Sequence, residues 1–257
     1  MRVVIGDVDA QAATEAAAAI GSRAAATTLD VRDEGSFRDF LAFAETTFGP
    51  VEVLINNAGI MPIGPFTDEP VEVARRALEI NLLGCLIGMK VALPAMVSAG
   101  RGHILNVSSV AGKSPVPGGL TYAATKAAVV SATETARVEY AGTGVDFTCV
   151  MPSFTNTDLV AGTSGTRFIK NIEPTQVATA IRDAIARPRA DVYVPGSVGV
   201  IAKTTPLLGR RLRDAINRGL KADRTFLEID QGARADYTKR ITAPPTPNEL
   251  EPGPPPD

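Results

Sequence analysis

The sequence predicts an α/β protein built on a mostly parallel, doubly wound sheet, and three observations carry that prediction. Short apolar runs alternate with helix-period segments almost to residue 195, which is the pattern of strands joined by crossover helices. Runs such as Val3–Ile5 are continuously apolar instead of alternating, as befits strands buried on both faces. Small and polar residues follow the runs, in DVD, NNAG and MPSFTNT. Sheets of this class bind ligands at the carboxyl ends of their strands, so those residues matter most.

The elements follow in order. Val3, Val4 and Ile5 open the chain as a strand closed by Gly6 and the acids Asp7 and Asp9, with an Ala-rich helix from Gln11 to Ile20. AAATTL (24–29) is the next strand, followed by a helical segment from Glu34 to Phe48 and the strand VEVLIN (51–56). A long helix from about Val71 to Ser98 leads to HILNVSS (103–109), and a helix from about Tyr122 to Gly142 leads to VDFTCVMP (145–152). A helix over Pro174–Ala186 and the strand DVYVP (191–195) complete the series. Residues 1–195 are therefore the sheet domain, 196–240 a basic helical extension and 241–257 a tail. The tail holds seven prolines without an apolar period, and it buries too little surface to offset the entropy of ordering.

Composition narrows the functions. The 257 residues and 45% hydrophobic content suit one large domain with an extension, or two small ones. A net charge of −2 gives no electrostatic footprint for nucleic acid. Cys85 and Cys149 lie in apolar stretches without metal-ligand spacing and read as buried thiols in a reducing compartment. The one histidine, His103, cannot hold a metal alone, so no metal site is expected. Asp7 and Asp9 interrupt the N-terminal apolar run before it reaches the length of a secretory signal. Leu82–Val97 contains Lys90 and Pro94, which favours a core helix over a membrane span. A cytoplasmic protein is expected.

The strongest chemical signal is YAATK at 122–126. Tyr122 and Lys126 are four apart and share a helix face. A free phenol titrates near pH 10, and a neighbouring ammonium would lower that value and make it a usable proton shuttle. Ser109 closes the strand HILNVSS thirteen residues earlier, where its hydroxyl could bond a substrate oxygen; the plainer reading is a turn serine. Asn57, Ala58 and Gly59 follow another strand and let a ligand approach the backbone, or simply turn the chain. Asn81 sits among leucines in LEINLLG and needs partners for its amide.

Together these segments resemble the short-chain dehydrogenase/reductase family. The resemblance covers about residues 2–200 and rests on NNAG, the helical Asn81, NVSS, YAATK and MPSFTNT. It implies a Rossmann-like domain and a nicotinamide-dependent oxidoreductase that interconverts a secondary alcohol and a ketone. The family's catalytic positions fall on Asn81, Ser109, Tyr122 and Lys126. Ser109 would polarise the substrate oxygen and Tyr122 would exchange its proton. Lys126 would lower the tyrosine pKa and bind the nicotinamide ribose, and Asn81 would anchor a water in the proton relay. On the cofactor side, Asp7 matches the acid that bonds the adenosine ribose. Its charge favours NAD over NADP. Asp30 and Val31 match the adenine contact, Asn57, Ala58 and Gly59 the ribose side, and Pro152, Thr155 and Thr157 the nicotinamide amide and phosphates. Ser153 stands where the family usually has glycine, and Thr155 where it usually has a branched apolar residue.

The front end departs furthest from the family. The resemblance calls for a central strand, a glycine-rich phosphate turn and a helix before Asp7, and only six residues precede it. The expectation is an N-terminally truncated domain, with roughly 30 further residues in the working protein, the size of a βαβ unit. Without that strand, either two strand edges stay unpaired or the neighbours close up. The competing reading is a catalytically impaired chain that binds cofactor poorly and serves as a non-enzymatic oligomer partner.

Family substrate-side positions are mostly apolar here: Met61, Pro62, Val116, Pro117, Phe154, Leu159 and Phe168. That implies an apolar alcohol or ketone, lipid- or sterol-like, although several of these residues could equally pack the core. A homodimer or homotetramer is implied through the Asn81 and Tyr122 helices. Residues 203–224 carry seven Lys or Arg against two Asp, with Leu207, Leu208, Leu212, Ile216 and Leu220 at roughly helical spacing. They read as a helix docked on its own domain, with an amphipathic helix resting on an anionic membrane surface or over the substrate mouth as the alternative.

Overall fold

A computed structural model describes residues 1–163, 171–204, 208, 209, 211, 215 and 226–242. The order of elements is β1 (Val3–Asp7), α1 (Ala10–Ile20), β2 (Ala24–Thr28), α2 (Glu34–Phe48), β3 (Val53–Asn56), α3 (Val71–Leu78), α4 (Gly84–Ala99), β4 (Gly102–Val107), α5 (Leu120–Glu139), β5 (Val145–Pro152), α6 (Pro174–Ala186), β6 (Asp191–Val194), α7 (Gly196–Thr204) and α8 (Gln231–Thr242). Helix starts follow their caps. Asp9 accepts the Ala12 amide at 2.9 Å and Asp33 the Ser36 amide at 2.5 Å. Glu173 and Gln176 form a reciprocal capping box with Pro174 in the first turn.

All strand pairs are parallel, and helices cover both faces of the sheet. On one face Phe37, Leu41, Leu93, Met96 and Val129 pack with Leu54, Ile104 and Phe147. On the other, Val177, Ile181 and Ile185 of α6 pack on Leu105, Val150 and Val192. This is the α/β, Rossmann-like architecture expected.

The sheet is divided. β1 pairs only with β2, whereas β3, β4, β5 and β6 form a separate four-stranded sheet in that order. The free edges of β1 and β3 face one cavity of about 780 Å³ that runs from Met1 and Arg2 to Asp7, Asn57 and Ala58. Of the two expected outcomes at the front end, the structure adopts the first: the strands stay apart with unpaired edges.

The predicted long helix is one helical stretch, Val71–Ala99, that would pass for a membrane span by length and composition. It is instead built into the core, with Cys85, Ile87, Met89, Leu93 and Met96 buried. A π-helical turn, Glu79–Leu83, interrupts it. At the C-terminal end of the described residues, α8 runs to Thr242 and Ile241 is buried. Leu207, Leu212, Ile216, Leu220 and Phe168 fall outside the described residues, as do 243–257, so most of the basic segment and the proline-rich tail do too.

Candidate active site

The carboxyl ends of β3, β4 and β5 converge on the start of α5, and the four predicted catalytic residues meet there. All are buried: Asn81, Ser109, Tyr122 and Lys126 expose 2%, 9%, 7% and 4% of their surfaces. The π turn in the α3–α4 helix gives Asn81 its direction, a common use of such a bulge. Its Oδ1 accepts the Ile60 amide at 2.7 Å, and its Nδ2 donates to the Ile60 carbonyl at 2.8 Å and to Thr125 Oγ1 at 3.0 Å. The side chain thus joins the loop after β3 to α5. Thr125 completes the link by donating to the Tyr122 carbonyl at 2.7 Å. Its only trace in the sequence is a hydroxyl among alanines, three residues from the tyrosine.

Lys126 Nζ donates to the Val107 carbonyl at 2.8 Å, and Ser108 Oγ donates to the Lys126 carbonyl at 2.7 Å. The lysine is therefore held at the end of β4, with its ammonium 5.8 Å from the Tyr122 ring centroid. Ser109 Oγ accepts the Ala111 amide at 3.1 Å and donates to the Pro152 carbonyl at 3.4 Å, and its hydroxyl acts on the neighbouring Tyr122 phenol to favour the phenolate. Gly59 explains the NNAG loop: a Cβ there would lie 3.2 Å from Asn81 Oδ1 and 3.3 Å from Lys126 Nζ. Glycine lets the backbone pass that closely without either side chain having to give way.

The electrostatics differ from the sequence-based expectation. Burial pushes the Tyr122 phenol up to about 12, and the Ser109 hydrogen bond opposes that rise only in part. Burial also brings the Lys126 ammonium down to about 8. The lysine is expected to acidify the tyrosine; its ammonium is directed to Val107 instead, and desolvation is the largest influence on both groups. Of these two neighbours, Ser109 is the one that favours the phenolate.

The cofactor-side residues divide into two groups. Asn57, Ala58 and Asp7 border the cavity, and exposed Asp7 uses Oδ1 only to accept the Asp9 amide at 3.0 Å. Asp30 is engaged elsewhere: Arg32 donates to its carboxylate from Nε at 2.9 Å and from Nη2 at 2.6 Å. Burial raises the Asp30 carboxyl, and the Arg32 hydrogen bonds and charge bring it below its ordinary value. Val31 borders the same cavity while packing on the core. At the other end, Pro152 closes β5. Thr155 Oγ1 donates to the Ser153 carbonyl at 3.1 Å and Thr157 Oγ1 to the Thr155 carbonyl at 3.4 Å. The Ser153 hydroxyl is buried without a hydrogen-bond partner among the described residues. These residues suit the two sugar ends of a dinucleotide: a carboxylate for one ribose, and Lys126 with a glycine-lined backbone for the other. Among the described residues, no glycine-rich turn lies at the cavity to hold the pyrophosphate.

On the substrate side, Met61, Val116, Phe154 and Leu159 cluster with Tyr122, while Pro117 is exposed. Phe226, which sequence reasoning missed, joins that cluster. No motif marks it, because it arrives from more than a hundred residues downstream. His103 is buried in the core, where its Nε2 bonds Thr148 Oγ1 at 2.8 Å and Thr148 donates onward to the Arg189 carbonyl. Burial pushes the Cys85 and Cys149 thiols up to about 12, so both are poor nucleophiles.

Comparisons with known proteins agree with this geometry. The sequence profile of the short chain dehydrogenase family matches residues 1–167. The chain is 36% identical over 163 residues to 2,5-dichloro-2,5-cyclohexadiene-1,4-diol dehydrogenase of Sphingobium indicum, covering 62% of this chain and 65% of that protein. It is 41% identical over 164 residues to cis-4-hydroxycyclohexanecarboxylate dehydrogenase of Sinomonas cyclohexanicum, covering 62% and 66%. The chain therefore spans about two thirds of the length of these curated relatives. A crystal structure of a short chain dehydrogenase/reductase from Burkholderia phymatum in complex with NAD superposes with a TM-score of 0.71 at 25% identity, covering 80% of this chain and 84% of that one. The chain belongs to the short chain dehydrogenase family.

Proposed function

We propose that the chain is a nicotinamide-dependent oxidoreductase that interconverts a secondary alcohol and a ketone, with NAD preferred over NADP. The observation that carries this reading is the buried meeting of Ser109, Tyr122, Lys126 and Asn81 at one strand end. A ketone oxygen seated between the Ser109 and Tyr122 hydroxyls accepts two hydrogen bonds. As negative charge gathers on that oxygen, Tyr122 donates its proton and Ser109 stabilises what remains. In the alcohol direction Tyr122 takes the proton back. Lys126 has hydrogens beyond the one given to Val107, and these bind ribose hydroxyls. Asn81 is committed to Ile60 and Thr125, so its role is to hold the loop and α5 at fixed spacing. The nicotinamide, when bound, supplies or accepts the hydride.

Asp7 supports NAD, because a carboxylate at that point repels a 2′-phosphate. The apolar cluster around Tyr122 supports an apolar substrate. The names of the two relatives, which specify cyclohexadiene and cyclohexane rings, favour a compact alicyclic alcohol or ketone over a sterol. For the pyrophosphate, we propose a further parallel strand in the cleft between β1 and β3, followed by a glycine-rich turn. The coding sequence directly upstream of Met1 tests that element, and an in-frame stop there defeats it. Pairing of copies through α4 and α5, and a cytoplasmic location, complete the proposal.

Titration with NADH, followed by its fluorescence, and ketone-dependent loss of NADH absorbance test the enzyme reading. Saturable binding with turnover is the expected result. The open edges of β1 and β3 favour one rival, a non-enzymatic chain that associates with other subunits, and absence of saturable binding would select it.

A further inference from the structure

The C-terminal segment is tied into the site more firmly than its sequence suggests. Arg234 exposes only 2% of its surface, and no carboxylate pairs with it among the described residues. Its Nη1 donates to the Leu159 carbonyl at 2.8 Å and the Ala161 carbonyl at 3.0 Å, and its Nη2 to the Met61 carbonyl at 2.5 Å. Tyr237 lies one helical turn on, with its ring 4.5 Å from the guanidinium, and its hydroxyl accepts the Met61 amide at 2.7 Å. Both polar groups of the Met61 backbone are thus held by α8. A buried cation costs free energy unless its geometry is used fully. Here a planar fork bridges the loop after β3 to the loop after β5, a span that a lysine's single donor point cannot make.

Phe226 leads into this helix. It is buried beside Tyr122, Met61 and Ala111, and its ring centroid lies 5.5 Å from that of Phe154. Two glycines let the segment approach closely. A Cβ at Gly118 (φ +81°) would lie 2.7 Å from the Phe226 backbone, and one at Gly162 (φ +74°) would lie 2.5 Å from the Asp230 carbonyl oxygen.

We propose that residues 226–242 form a wall of the substrate chamber, in which Phe226 sets the size of ring that reaches Tyr122. Arg234 is the positioning residue that holds the two loops behind that wall at fixed separation. The proposal rests on the dehydrogenase reading for its substrate class, but its test does not need turnover. The chain has no tryptophan, so Phe226→Trp introduces a single reporter, and Val138→Trp at the exposed far end of α5 is the control. Cyclohexanone and cyclododecanone are titrated against tryptophan emission without cofactor. The expected result is a saturable change for cyclohexanone in Phe226→Trp and none in Val138→Trp. Equal, non-saturating changes in both would overturn the wall.

Adding Arg234→Met to Phe226→Trp is expected to weaken cyclohexanone about tenfold, the scale of a pocket displaced by a methylene or so, and Arg234→Lys to recover part of that. NADH affinity is expected to hold within twofold in both. Should Arg234→Met not fold, Tyr237→Phe is read in its place, with a loss of about threefold expected on the same scale. A parallel fall in ketone and NADH affinity would overturn the positioning role. In the enzymatic assay, Phe226→Ala is expected to shift kcat/KM toward cyclododecanone by about tenfold, and an unchanged ring ranking would overturn the proposal. Ketone binding at residue 226 without any NADH binding would sink the dehydrogenase reading alone. NADH binding without a ketone signal would sink the wall alone.

Discussion

The catalytic half and the nucleotide-facing front of this molecule differ in how their strands are supported. β4 and β5 are paired on both edges, and six of their residues, Ile104, Leu105, Asn106, Thr148, Val150 and Met151, have no exposed surface. β1 is paired on one edge, and Val3 and Asp7 at its ends are exposed. Lys126, Ser109 and Asn81 are held by backbone groups of the well-supported half: Val107, Ala111 and Ile60. Asp7 stands on the poorly supported front. The proposed proton chemistry and the proposed contact of Asp7 with the adenosine ribose therefore rest on separate foundations, and damage to one need not reach the other.

Tyr122→Phe is the largest expected effect and sharpens this comparison. Turnover should fall by roughly 10²–10⁴, the usual share of a general acid, while NADH affinity stays unchanged; loss of both would mean the halves are coupled. Hydrogen exchange comes next. Amides of β1 and β2 should exchange roughly 10³ times faster than those of β4 and β5, because local opening draws on the less-packed units. Equal protection by mass spectrometry would show one cooperative unit and break the comparison.

The third effect is confined to the catalytic half. Lys126 titrates near 8 in the folded chain against an ordinary 10.5. Below pH 8 both states carry the proton and the burial cost is fully present. Between pH 8 and 10.5 the unfolded chain holds more proton, so stability rises with pH. The gain is on the order of 3 kcal/mol at 1.36 kcal/mol per pK unit. Tyr122 acts in the opposite sense, because its raised value removes stability above pH 10. Urea unfolding from pH 7 to 10 should show the rise, and Lys126→Met should flatten it. The smallest effect belongs to the front: Asp7→Asn should narrow the preference for NAD over NADP about tenfold, or about 1.4 kcal/mol. Dissociation constants for the two reduced cofactors would measure that change, and an unaltered ratio would remove Asp7 from the site.

Much of the site was legible before any coordinates, because its chemistry sits on short local spacings. Tyr122 and Lys126 share a helix face by periodicity alone, and Ser109 and Gly59 follow apolar runs that end as strands. Asp30 shows what spacing leaves out: its carboxylate is paired with Arg32 two residues away, and spacing does not show whether a carboxylate is free or already paired. The tyrosine pKa misled because desolvation depends on what packs around the phenol. Arg234, Tyr237 and Phe226 were invisible. Their partners lie between 72 and 176 residues away along the chain, and no period or motif encodes such a distance.

By itself the sequence determined the alternation of strands and helices, the parallel sheet and the residue types that can move a proton. These follow from hydrophobic period and from chemistry confined to a few neighbouring residues. Only the tertiary structure decided that β1 and β3 stay apart across an open cavity, that Lys126 is aimed at Val107, and that a C-terminal arginine binds two active-site loops together. Each of those outcomes depends on burial and long-range contact, which arise only when distant parts of the chain share one solvent-excluded space.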